Sequence, residues 1–112
     1  MTLMKSVLVC AILMVPFASA QNAKKGAASG NAASGKTVFE GQCSDCHESS
    51  STETKVGPGL KGVKSGKLPS GKPASHATIL NLLNSGTDVM PSFKDTLDDK
   101  QKEDVIAYVL TL

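Results

Sequence analysis

From Gly35 to Leu112 the chain supplies 25 apolar residues in 78 positions, among them one tyrosine, two phenylalanines and no tryptophan. A domain of that size buries barely enough apolar surface to offset its conformational entropy. One this short of large side chains needs a staple such as a disulfide, a metal or a cofactor. The need is sharpest between Glu48 and Ala74, where Gly57, Gly59, Gly62, Gly66 and Gly71 alternate with Pro58, Pro69 and Pro73 and leave no room for regular structure. A structureless connection of that length is out of place in a compact domain unless it wraps something.

The amino-terminal third contributes nothing to such a core. Residues 1–20 read as a secretory signal: Lys5 near the start, an apolar run from Val7 to Phe17, and Ala18-Ser19-Ala20 as a small-residue cleavage site before Gln21. The run is far short of the roughly 20 residues of a membrane span, so no stable membrane insertion is expected, and Cys10 leaves with the signal. Export implies an oxidising compartment. Residues 21–34 consist of Ala, Gly, Ser, Asn, Gln and Lys, with the tandem pair Ala27-Ala28-Ser29-Gly30-Asn31 and Ala32-Ala33-Ser34-Gly35-Lys36. This composition predicts a flexible leader, with the folded domain spanning 35–112. Beyond Ala20 the chain has 11 lysines, 10 acids and no arginine. So even a charge balance, without aromatic residues between the lysines, gives no basis for nucleic-acid binding.

Within the domain the pattern predicts three helices and no strand. The first spans roughly Lys36 to Ser44, with Val38 and Phe39 facing inward and Cys43 on the same side. The second spans His76 to Asn84, capped by Ser75, stopped by Gly86 and burying Ile79, Leu80, Leu82 and Leu83. The third starts near Asp98, where Asp98 and Gln101 make a capping-box pair and Val105, Ile106, Val109 and Leu112 form a stripe widened by Tyr108.

Cys43-Ser44-Asp45-Cys46-His47 is a C-x-x-C-H sequence, the attachment signal for c-type haem. Two thiols three residues apart can each add to one vinyl group, and the next residue aims an imidazole at the iron; the cofactor then becomes the missing staple. Competing readings use the same residues. A thioredoxin-like redox pair needs a preceding strand. A plain Cys43–Cys46 disulfide leaves His47 and the glycine-rich loop unexplained. A zinc site built from Cys43, Cys46, His47 and His76 has the right ligand count, but adjacent Cys46 and His47 rarely bind one tetrahedral ion.

Beyond this motif, Gly35-x3-Phe39-x3-Cys43-x2-Cys46-His47, Gly57-Pro58-Gly59-Leu60-Lys61-Gly62, Met90-Pro91-Ser92-Phe93 and Glu103-Asp104-Val105-Ile106-Ala107-Tyr108 together resemble the small class I cytochromes c of bacteria. The resemblance implies an all-α fold of three to four helices wrapped around one haem c held covalently through Cys43 and Cys46. His47 is then the proximal iron ligand and Met90 the distal one, and the Pro58 carbonyl accepts the Nδ1 proton of His47. Gly35, Phe39 and Tyr108 would mark the crossing of the first and last helices. Met90 is the only methionine outside the signal, and Pro91 restrains it to an extended backbone. Taken alone, Met90 could equally fill the core, His76 could close the axial position, and Pro58 could be an ordinary turn proline.

The function this implies is that of a periplasmic one-electron carrier with His/Met ligation, not an enzyme, working as a monomer with redox protein partners in the periplasm or at the membrane surface. Two alternatives are a haem subunit of a periplasmic dehydrogenase or oxidase complex, and a sensor or enzyme with five-coordinate haem. Lys55, Lys61, Lys64, Lys67 and Lys72 lie in a stretch without acids, whereas the last helix region is acidic. The contrast predicts a mildly positive face near the haem that steers encounter.

Overall fold

Asn31 decides where the first helix begins. Its backbone is extended and its side chain accepts from Ser34 N at 3.1 Å, so α1 spans Ala32–Gln42 and starts four residues ahead of Lys36. The computed structural model describes residues 30–112; the secretory signal, its cleavage after Ala20 and residues 21–29 of the leader lie outside the described residues. Residues 31–34, which composition assigns to the leader, are instead the cap and first turn of α1. At its other end the helix stops at Gln42, short of the expected Ser44, and Cys43 serves as its C-cap.

The other two helices follow from local chemistry. Ser75 accepts from Thr78 N at 3.2 Å and opens α2, His76–Ser85, which Gly86 closes at φ 64. Asp98 accepts from Gln101 N at 2.7 Å while Gln101 Oε1 accepts from Asp98 N at 3.0 Å, and this reciprocal box starts α3, Asp99–Val109. The long connection between α1 and α2 contains one 3₁₀ turn, Val63–Ser65, and one isolated bridge, Lys67 to Pro73. No strand occurs among the described residues.

The main packing interface is α1 against α3. Phe39 and Tyr108 meet edge to face, with ring centroids 5.4 Å apart and planes at 61°; such a pair adds about 1 kcal/mol beyond burial. At the crossing the backbones almost touch. A Cβ on Gly35 would lie 1.8 Å from the Asp104 carbonyl oxygen and 2.9 Å from Tyr108 Cβ. Gly35→Ala must therefore push the two helices apart, and we expect a loss of stability of about 3 kcal/mol or more, read as a lower denaturant midpoint with an unchanged slope.

Asp104 locks the same crossing from the side. Its carboxylate is buried, accepts from Asn31 N at 2.8 Å and from Lys100 Nζ at 2.7 Å, and is held below the usual carboxylate range by these bonds, the backbone one foremost. Buried Lys102 donates from Nζ to the Lys94 carbonyl at 2.9 Å, so its charge is stabilised by a backbone dipole. Val105, Ile106 and Val109 form the buried stripe of α3, joined by Val63, Phe93 and Leu97 from segments without helical periodicity.

α2 meets α3 over a smaller area, and His76 Nε2 lies 2.8 Å from the Glu103 carboxylate at its amino end. Ile79 and Leu83 are buried against the core, whereas Leu80 and Leu82 are only half-covered. Leu82 borders a cavity instead. Among the described residues no helix is long and apolar enough to cross a membrane.

Candidate functional site

As α1 ends, the chain keeps turning. Cys46 N and His47 N both donate to the Cys43 carbonyl, at 3.1 and 2.9 Å, and this tight turn brings Cys43, Cys46 and His47 to one wall of a cavity of about 800 Å³. Met90 and Phe93 reach the same cavity from the segment after α2, Leu60 and Leu68 from the connection before it, and Leu82 from α2 itself. Pro58 contributes to the wall as well, so all five residues singled out in the sequence border a single space. Val56 and Val89, 61% and 72% exposed, stand at its mouth.

The orientation of His47 is fixed from behind. Its Nδ1 lies 2.8 Å from the Pro58 carbonyl oxygen. A carbonyl can only accept, so Nδ1 is the donor and Nε2 is the nitrogen left to meet a ligand. Gly57 presses on the same ring: a Cβ there would come within 2.5 Å of His47 Cε1. Only a residue without a side chain lets this loop lie flat against the imidazole.

The competing readings fail on placement. His76 does not border the cavity; it is engaged by Glu103, at 2.8 and 2.9 Å to the two carboxylate oxygens. Lying outside the cavity wall, it is placed neither as a fourth zinc ligand beside the two thiols nor as an axial ligand. Among the described residues no three or more His, Cys, Asp and Glu side chains converge to hold a metal ion. Cys43 and Cys46 are not bonded to each other. Burial, and then the neighbouring Cys46, push the Cys43 thiol up to about 11, the opposite of the depressed pKa of an attacking redox thiol.

What remains fits a haem. Two thiols share a wall with an imidazole whose Nε2 is free, a thioether enters from another element, and the lining is mostly apolar at a volume typical of cofactor sites. Of the five lysines expected near it, all exposed, Lys72 borders the cavity and Lys55 instead pairs with Glu48 at 2.9 Å.

A family model described as cytochrome c oxidase, cbb3-type, subunit III matches residues 30–109, the span from the cap of α1 to the end of α3. The chain belongs to the cytochrome c family. Such proteins hold one haem c covalently, and Cys43 and Cys46 are the thiols available for it. Cytochrome c6 of Synechocystis is 36% identical over 70% of this chain, a match spanning 62% of that protein, so this chain covers less than two thirds of its length. Cytochrome c6 of Thermostichus vulcanus is 33% identical over 91% of this chain and 86% of its own. In fold, the crystal structure of cytochrome c6 from the diatom Phaeodactylum tricornutum superposes with a TM-score of 0.60 at 24% identity, covering 73% of this chain and 93% of that one. The small all-α cytochrome c fold expected from the motifs is thus the fold observed.

Sequence reasoning missed two residues at this cytochrome's site. Gly57 had a signal in the Gly-Pro-Gly run, but its contact is with a ring ten positions earlier. Thr87 hydrogen-bonds the backbone of Met90, and only the spacing Thr-x-x-Met hinted at it.

Proposed function

We propose that this cytochrome is a periplasmic one-electron carrier in which His47 and Met90 are the two axial ligands of the haem iron. The observation that carries the reading is the joint presence of the Cys43/Cys46 pair, His47 Nε2 and the Met90 thioether around one apolar cavity. Haem supplies the one-electron iron couple. The protein's own residues set the conditions for it. The Pro58 carbonyl holds the His47 proton at Nδ1, which fixes the ring and raises the basicity of Nε2. Met90 offers a soft, neutral sulfur that favours the reduced metal and a higher potential. Leu68, Leu82 and Phe93 give the cavity an apolar lining, and no side chain is required to act as acid, base or nucleophile. The secretory signal ending at Ala20 supports export, and the exposed lysines around Lys72 suit an encounter with acidic redox partners, weakening with salt.

The mature protein, purified from an exporting host, is expected to show c-type bands, a weak long-wavelength band from sulfur ligation when oxidised, and no carbon monoxide binding when reduced. Carbon monoxide binding by the reduced native protein would overturn six-coordinate ligation. A second reading, a haem subunit of an oxidase, is favoured by the description of the matching family model. It requires the protein to elute with a membrane complex, where a carrier elutes alone.

A further inference from the structure

We infer that Thr87 is the positioning residue for Met90, its hydroxyl fixing the backbone from which the thioether enters the cavity. The inference rests on the reading of Met90 as an iron ligand. The segment from Thr87 to Ser92 belongs to no helix and is little buried: Thr87, Asp88 and Val89 are exposed, Val89 at 72%. Packing therefore does little to hold it. Hydrogen bonds do. Thr87 Oγ1 accepts from Met90 N at 3.0 Å and from Val89 N at 3.3 Å, and Thr87 N donates to the Met90 carbonyl at 2.8 Å. Both backbone polar groups of Met90 thus bond to one residue.

The segment is tied down again only beyond Met90, where Ser92 Oγ donates to the Asn84 carbonyl at 2.5 Å and Phe93 N to the Leu83 carbonyl at 2.7 Å. Before Met90, both side-chain bonds that hold this turn among the described residues come from the Thr87 hydroxyl. An external ligand can reach the iron only after the thioether withdraws and the turn yields. The two hydroxyl bonds oppose that movement. Without them the exposed N–H groups of Val89 and Met90 bond water, so the fold persists. The state with Met90 withdrawn gains population, and apparent affinity for a competing ligand rises by the same factor.

The test is a titration of the oxidised holoprotein with imidazole, followed by loss of the long-wavelength sulfur band. Thr87→Val, which keeps the shape and deletes the acceptor, should tighten apparent imidazole binding roughly tenfold. Thr87→Ala should do the same, and Thr87→Ser should restore the native value. A purely structural role would lower the unfolding midpoint and leave imidazole binding unchanged in all three variants, and that result would overturn the inference. Met90→Ala separates the two layers. If it tightens imidazole binding while Thr87→Val does not, Thr87 alone loses its role. If Met90→Ala has no effect, the ligand reading fails and the inference with it.

Discussion

Replacing Cys43 and Cys46 together by serine is expected to give an exported chain that neither retains haem nor unfolds cooperatively. The reason is volume. The cavity bordered by these thiols measures about 800 Å³ in a domain whose largest fully buried side chains are Ile106, Val63 and Val105. At roughly 24 cal/mol per Å³, leaving even a third of that space empty would cost about 6 kcal/mol. That is comparable with the roughly 5–15 kcal/mol that holds a small domain together. Among the described residues there is no aromatic reserve to collapse into the gap: Phe39, Phe93 and Tyr108 already pack in or against the core. Far-ultraviolet circular dichroism and a denaturant titration on the colourless variant provide the check. A compact, helical product with a sharp unfolding transition would refute the claim that haem is the missing part of the core.

Met90→Ala should act differently, sparing the fold and changing the chemistry. The thioether bonds involve Cys43 and Cys46 alone, so haem stays attached and the α1–α3 crossing is untouched. What disappears is the sole methionine sulfur among the described residues. The reduced variant should bind carbon monoxide, which the native protein should exclude. The potential should fall by on the order of 100 mV or more, within the roughly 0.8 V range that axial ligands command. His76 cannot substitute, because it does not border the cavity. Unaltered carbon monoxide behaviour and an unaltered potential would remove Met90 from the iron.

Much of this molecule was legible because its chemistry is local. Ser75, the Asp98–Gln101 box and Gly86 each act within a few residues of themselves: α2 begins and ends, and α3 begins, about where they imply, whereas α3 ends at Val109 and leaves Leu112 of the expected stripe beyond the helix. The site was legible for a different reason: the spacing of Cys43, Cys46 and His47 is dictated by a rigid cofactor, and Met90 stood out by scarcity. The start of α1 was marked only by the Asn31 cap, because the contacts that hold this end, backbone against backbone at Gly35 and Asn31 N on Asp104, leave no hydrophobic period. Val63, Phe93 and Leu97 escaped for the same reason, being buried from loops with no repeat to reveal them. The half-covered Leu82 shows the converse: its periodicity pointed inward correctly, but toward space that side chains do not fill.

The bond between Asn31 and Asp104 joins positions 73 apart, and the haem-bearing turn lies between them. A polypeptide emerging amino end first delivers α1 early, yet its main packing partner, α3, is the last helix to arrive. Throughout that interval Cys43 and Cys46 sit on an unclosed strip of chain, reachable for thioether formation. Contacts of such high sequence separation form slowly, so the same topology that seals the finished domain also leaves an interval for loading it.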